Sequence, residues 1–397
     1  MIRPFAPSRP LAGPTLMRAA VLVDAGRIEV RPVESPSPRA DEVRIRVGAV
    51  GVCGTDLHIF AGHANYNKDE TGRLIPLREQ PQILGHEVAG VVEEMGEDVT
   101  DLAQGDRVII DQGRNCVSER RAPRCEYCAT GDSHQCEHYR EHGITGLPGG
   151  LADYVTVPAV NAIKIRSNTA LDLAVLAEPL GCIVHSSDLV VRAPSRYRLN
   201  PASDSQRVRT AVICGAGPAG LLFAQYLRQV LRYGDRLIVI EPNAMKRALA
   251  QRFGADVIDP SAVDPVAEVQ ERTGGRRAEL LIEATGSAEV FMSIPRLVRK
   301  QATVLLYGHG HVGADLSVLN QLQFLEPTLI APAGASGGFE PDGRPSTYVR
   351  ALELVEHGTV DVASIVTHRF RSLDLVADAL ANAHRASDYV KGVVTLS

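Results

Sequence analysis

An α/β fold in two parts, strand-rich first and doubly wound second, is predicted by three observations. Short runs that alternate apolar and polar residues, such as "VRIRV" at 43–47 and "DYVTV" at 153–157, are separated by Gly, Pro and Asn and read as half-buried strands. Past residue 209 the runs become continuously apolar, "TAVIC", "RLIVIE", "ELLIEATG", "ATVLLYG" and "PTLIAPAG", as in strands covered on both faces. Between the first two of these, Phe223, Tyr226, Leu227, Val230 and Leu231 keep the one-face spacing of an amphipathic helix. Strand, helix, strand in that order predicts a parallel sheet.

The chain has 397 residues, more than one core usually supports, and two domains are expected. Residues 1–16, "MIRPFAPSRPLAGPTL", are rich in Pro and Arg and lack the apolar core of a secretory signal; they read as an extension. The first domain is placed at 17–185 and the second at 186–339, opening on the polar stretch "APSRYRLNPASDSQRVRT". Lys and Arg number 42 against 47 Asp and Glu, a formal charge of -5 that argues against nucleic acid or an anionic membrane as partner. The longest apolar runs, near "AVICGAG" and "ATVLLYG", are cut by glycine before the length of a membrane span. A small-molecule partner and a cytoplasmic address are expected.

"GAGPAG" between that first strand and helix sets Gly215, Gly217 and Gly220 at G-x-G-x-x-G spacing around Pro218 and Ala219. The first glycine permits the tight turn, the second lets backbone approach a pyrophosphate, and the third lets helix and strand pack closely. The helix N-terminus offers free N–H groups to the phosphates. Glu241 ends the next strand 21 residues after Gly220, in the place of an acid that accepts ribose hydroxyls and repels a 2′-phosphate. NAD is therefore favoured over NADP, with Lys246 and Arg247 nearby weighing the other way; the alternative is that Glu241 is only a surface strand end.

The seven cysteines cluster, which in a chain of this size suggests metal before disulfide. Cys125, Cys128 and Cys136 form a three-thiolate set, and Cys116 would complete the closed tetrahedron of a structural zinc. The alternative is a partly filled lobe in which Cys116 is a loop thiol. A second, looser set holds Cys53, Thr55, Asp56 and His58 in "CGTDLH", His86 and Glu87 in "GHE", and Glu178 in "EPLG". Mixed Cys, His and Glu donors with a position left open are what a catalytic zinc needs. Taken singly, Cys53 could be a buried hydrophobe, Asp56 a cap, Thr55 a turn residue and His86 a hydrogen-bonded core histidine. Cys182 and Cys214 read as packing residues, and His309 and His311 as loop residues without partners.

These motifs together, "GVCGTDLH", "GHEVAGVVEEMG" with "GDRV", the cysteine lobe, "GGLADYV", "EPLG", "GAGPAG" and "THRF", resemble the zinc-dependent medium-chain alcohol dehydrogenases from about Met17 onward. "CGTDLHI", "VPAVNAIKI" and "EPLGCIVH" are more similar to the threonine, sorbitol and sugar dehydrogenases than to the ethanol enzymes. The resemblance implies a GroES-like catalytic domain, a Rossmann NAD-binding domain, and a return of residues 340–397 to the catalytic part. It also implies a homodimer or homotetramer. Cys53 and His86 would bind a catalytic zinc with Glu87 or Glu178 as third ligand, Asp56 orienting a ligating histidine, and the proton leaving by Thr55 toward His58. The implied activity is oxidation of a secondary alcohol, of the polyol, sugar or amino-alcohol class, by NAD; the alternatives are a primary-alcohol or aldehyde enzyme and a non-catalytic NAD- and zinc-binding protein. Two departures stand out: eight residues separate Cys116 from Cys125 where the family has two, and the segment between His58 and Gly85 is long.

Overall fold

The computed structural model describes residues 15–396, so the extension expected at 1–16 lies almost wholly outside the described residues. The chain enters through β1 (Leu16–Asp24), β2 (Arg27–Glu34) and β3 (Glu42–Gly51), then turns through α1 (Gly54–Phe60) into β4 (Gln82–Ile83), β5 (Glu87–Met95) and β6 (Arg107–Ile110). A cysteine lobe follows, with α2 (Glu126–Thr130) between the short strands β7 (Gly113–Arg114) and β8 (Arg140–Glu141); β9 (Tyr154–Pro158) and β10 (Ala162–Lys164) come next. In β3 the alternation read from sequence is realised: Val43, Ile45 and Val47 are buried, and the arginines between them turn toward solvent.

Two helices, α3 (Leu171–Ala174) and α4 (Ala177–Arg192), lead to the second domain. Its strands β11 (Thr210–Cys214), β12 (Arg236–Ile240), β13 (Asp256–Ile258), β14 (Ala278–Glu283), β15 (Val298–Leu306) and β16 (Thr328–Ile330) form one parallel sheet in the order β13-β12-β11-β14-β15-β16. Both faces are apolar because both are covered. Ile213, Leu280 and Leu305 pack toward α4 and α5 (Pro218–Gln225), while Val212, Leu281 and Val304 pack with Val269 and Ile294 of α7 (Pro265–Arg272) and α8 (Ala288–Leu297). Two further helices, α6 (Ala244–Arg252) and α9 (Val318–Gln323), complete this domain.

The tail returns to the first domain, through α10 (Ser346–Glu356), which packs along α4, then β17 (Val366–Phe370), α11 (Val376–Ala381) and β18 (Lys391–Thr395). β18 is laid antiparallel on β3, pairing Val393 with Gly51, so the first domain's large sheet runs β10-β6-β5-β3-β18-β17 with β9 also on β3.

Three features depart from the sequence expectations. The strand-rich part contains a long helix: α4 runs unbroken through residue 186, the expected division, and the parallel sheet starts only at Thr210. The run Leu171–Arg192 is also long and apolar enough to cross a membrane, with an 18-residue window of mean hydropathy 1.4, where the longest apolar runs had been expected to be cut by glycine; 67% of that window is buried inside the fold, as a core helix is. Finally, α5 ends in a π-helical turn over Tyr226–Val230. The wide turn shifts the register, so Phe223, Tyr226 and Leu227 are buried and Val230 and Leu231 only partly.

His142, beyond β8, donates from Nδ1 to the Pro148 carbonyl at 2.8 Å and has no partner for its buried Nε2. Burial pushes the ring down to about 4. The unfolded chain takes up a proton there below an ordinary histidine value of about 6.5, and the folded chain refuses it until about 4. Stability is therefore fully present above that upper value and declines as pH falls through this window. In His142→Asn, whose side-chain N–H can replace Nδ1, the decline in Tm over the same window should be shallower; an identical slope by thermal melts would refute it.

Candidate active site and metal centres

One buried carboxylate joins the two segments of the mixed donor set. Asp56, the third residue of α1, accepts from the Cys53 N–H at 2.9 Å and thereby caps the helix that begins after Cys53. Its other oxygen accepts from the Gly85 N–H at 3.2 Å and lies 3.4 Å from His86 Nδ1, which leaves Nε2 as the free nitrogen of the ring. Burial alone would push the His86 ring down, but Asp56 and Cys53 outweigh it and hold it well above the usual histidine range. Cys53, His86 and Glu87 bring one donor atom each to within 4.8 Å of one another. The strand rule that neighbours point to opposite faces does not separate His86 from Glu87, because β5 starts only at Glu87.

Glu87 is fully buried, and its Oε1 pairs with Lys391 Nζ at 2.5 Å. Glu87 faces Gly51 from β5, and Lys391 stands on β18 two residues before the partner of Gly51 on the other side. The ion pair thus spans β3 at Gly51, which has no side chain; a Cβ there would sit 1.9 Å from Glu87 Oε2. That oxygen and His86 Nδ1 are buried with no hydrogen-bond partner. Glu178, in the first turn of α4, is also buried, and accepts at Oε1 from Gln112 Nε2 at 3.1 Å and from the Cys182 thiol at 3.7 Å. Burial and the neighbouring Glu87 raise its carboxyl to about 7, against the opposing influence of His86 and Lys391. It belongs to the same electrostatic environment without joining the 4.8 Å cluster.

Thr55 Oγ1 lies 3.8 Å from Cys53 Sγ, and both residues are partly exposed. One turn on, the His58 ring is 6.1 Å from His309 and 6.4 Å from His63, and the Tyr66 hydroxyl meets His309 Nε2 at 3.1 Å. His309 follows β15, so these groups meet across the two domains. Burial, then the charges of His309 and His63, keep His58 below the usual histidine value. Two sequence readings are corrected: His309 has Tyr66 as partner, and His311 pairs with the buried Glu283 at 2.8 Å. Cys182 packs against the core as expected, though only partly buried, with its thiol on Glu178. Cys214 is buried in β11 as expected.

In the glycine turn Gly215 has φ 96°, and a Cβ on Gly220 would sit 2.0 Å from the Gly215 carbonyl. A Cβ on Gly217 would meet nothing within 4 Å, so the backbone there borders open space ahead of Pro218 and Ala219 at the start of α5. Glu241 follows β12 directly, one residue past the strand end expected of it, with its carboxylate on the turn itself, accepting from the Ala216 N–H at 2.7 Å and the Asn243 N–H at 2.9 Å. Arg247 is engaged by Asp259 at 2.8 Å and by the Glu241 and Pro242 carbonyls.

Cys116, Cys125, Cys128 and Cys136 converge to within 4.8 Å. The eight intervening residues fold back, with the Arg121 N–H on the Cys116 carbonyl at 2.8 Å, and Cys116 Sγ lies 3.7 Å from Cys136 Sγ. The backbone N–H groups of Cys128 and Glu137 bring Cys125 down to about 7, which favours the thiolate that binds metal. His134 fixes this lobe: its Nε2 lies 3.3 Å from Asp111, and its Nδ1 accepts from the Ala335 N–H at 3.2 Å. His134, Gln112, Tyr66 and Lys391 escaped the sequence reading because their partners are remote, 304 residues in the case of Lys391 and Glu87.

Both donor sets fit zinc: four thiols in one, and Cys, His and Glu in the other, where Glu87 Oε2 is buried without a partner. The open cradle at Gly217 fits a pyrophosphate. Gly51→Ala should displace Glu87 and destabilise the fold by about 1–3 kcal/mol as overpacking does. A fall in Tm together with weaker zinc retention is expected; an unchanged Tm would show that the strand yields freely.

Residues 39–167 match the alcohol dehydrogenase GroES-like domain, and residues 218–357 match the zinc-binding dehydrogenase domain. The L-threonine 3-dehydrogenase of Thermococcus kodakarensis is 32% identical over 356 residues, covering 88% of this chain and 90% of its own. The sorbitol dehydrogenase of Arabidopsis thaliana is 28% identical over 95% of each chain. An NADP-bound zinc-binding dehydrogenase from Sinorhizobium meliloti 1021 superposes with a TM-score of 0.76 at 29% identity, over 96% of this chain and 99% of its own. A GroES-like domain bearing a mixed Cys, His and Glu cluster, joined to a doubly wound sheet with a G-x-G-x-x-G turn, completes the case: the chain belongs to the zinc-dependent medium-chain alcohol dehydrogenases, and it is an oxidoreductase.

Proposed function

We propose that the protein oxidises a secondary alcohol, of the polyol, sugar or amino-alcohol class, with NAD and a catalytic zinc held by Cys53, His86 and Glu87. The observation that carries this reading is the convergence of those three residues beside the partly exposed Thr55, where the two domains meet. Zinc bound there would supply Lewis acidity, lowering the pKa of a coordinated alcohol, and NAD would accept the hydride. Asp56, 3.4 Å from Nδ1, would orient the His86 ring by its charge. Thr55 Oγ1 would accept the alcohol proton while passing its own on toward His58, whose proton affinity is lowered by burial and then by His309 and His63. Glu87 is favoured over Glu178 as third ligand because only Glu87 lies in the 4.8 Å cluster.

The four-cysteine lobe would hold a second, structural zinc. NAD is favoured over NADP: Glu241 stands just past β12 beside the glycine turn, and Arg247 is already engaged by Asp259. The substrate class follows the threonine and sorbitol dehydrogenases among the similar proteins. A homodimer is supported by the open edge of β16 and by the exposed Val312, Leu316 and Phe324 in the segment that precedes it in the chain.

Purified protein should form NADH on one polyhydroxy or amino-alcohol class, faster with NAD than with NADP, and lose that activity when accessible zinc is chelated. Chelator-insensitive turnover, or turnover confined to simple primary alcohols, would overturn the assignment. Phe324→Glu should shift the protein from dimer to monomer in sedimentation; an unchanged dimer would place the interface elsewhere.

A further inference from the structure

We propose that Gln112, itself fixed by Tyr348, is a positioning residue that holds Glu178 away from the catalytic metal and so keeps the fourth coordination position open for substrate. The inference rests on the zinc reading of the Cys53, His86 and Glu87 cluster. Two buried carboxylates, Glu87 and Glu178, stand near that cluster, and each is held from a different side. Glu87 is tied by Lys391 on one oxygen and keeps the other without a partner. Glu178 is tied by Gln112 through a direct amide hydrogen bond at 3.1 Å.

An amide can serve this purpose in only one orientation. Its NH2 must face the carboxylate, because turning it over would set the Gln112 oxygen against the Glu178 oxygen, acceptor against acceptor. The two carboxylates decide the orientation, Glu178 and, at 3.5 Å, Glu141 accepting from Nε2, and the Tyr348 hydroxyl then holds the amide by donating to Gln112 Oε1. Both Gln112 and Tyr348 are buried, so water does not compete for these groups. The anchor is also rigid, since Tyr348 stands on α10, which packs along α4, the helix that carries Glu178.

The need for such a hold follows from coordination chemistry. A buried carboxylate next to a dication is drawn to it, and a fourth protein ligand would close the tetrahedron as in structural zinc sites, whereas catalytic sites keep one position free. Releasing Glu178 should therefore strengthen metal binding and slow turnover, opposite to what loss of ordinary structural support does.

The test compares full-length wild type with Gln112→Leu, Tyr348→Phe and the double variant Gln112→Leu, Glu178→Gln. The readouts are zinc affinity by competition with a chromophoric chelator, the d–d absorption after cobalt substitution, kcat and Tm. Gln112→Leu should bind chelator-accessible zinc about tenfold more tightly, alter the cobalt spectrum and lose about tenfold or more in kcat, the usual scale for residues that orient metal ligands. Adding Glu178→Gln should abolish the tightening, and Tyr348→Phe should shift affinity in the same direction by less. Zinc affinity unchanged or weakened in Gln112→Leu would overturn the proposal; should that variant not fold, unchanged affinity in Tyr348→Phe does so. Wild type without chelator-accessible zinc would overturn the underlying zinc reading, a result obtained before any variant is made.

Discussion

The first domain is organised around a buried ion pair, Glu87 with Lys391, that crosses the middle of its large sheet. A charge withdrawn from water is costly unless it is paired, and removing one partner of a buried pair typically costs about 3–5 kcal/mol. The pair forms only if β5, β3 and β18 lie side by side in that order, and only if the middle strand offers no side chain where the two meet, which is why Gly51 stands there. The tail must therefore come back after the second domain. The requirement is topological as well as local, because β18 supplies both the lysine and the strand on the far side of β3.

From that frame the active-site donors are set by strand ends and a helix cap, the most rigid places a short loop can be tethered. Cys53 follows β3, Glu87 opens β5, and Asp56 holds both segments by accepting from the Cys53 and Gly85 N–H groups. The carboxylate that caps α1 also stands beside the His86 ring, so one side chain serves local structure and site geometry together. The cysteine lobe is secured in the same manner, through His134 and the 335–337 backbone of the distant loop. Across the cleft, the Tyr66 and His309 contact gives the long segment after His58 a place at the mouth of the site.

By itself the sequence determined the periodic and the contiguous. Alternation in β3 and the unbroken apolar strands of the parallel sheet follow from burial on one face or two, and the glycine turn needs only neighbours in the chain. The four cysteines and "GHE" were legible for the same reason, as side chains whose chemistry shows at short spacing. Tertiary structure alone decided the rest. Whether Cys116 joins its lobe depended on how eight residues fold back, and whether Glu87 or Glu178 lies in the cluster depended on where a strand begins and where α4 passes. Lys391, Tyr348 and His309 carry no local signal, because the partners that give them meaning are far away in the chain and become neighbours only when sheets close and helices pack.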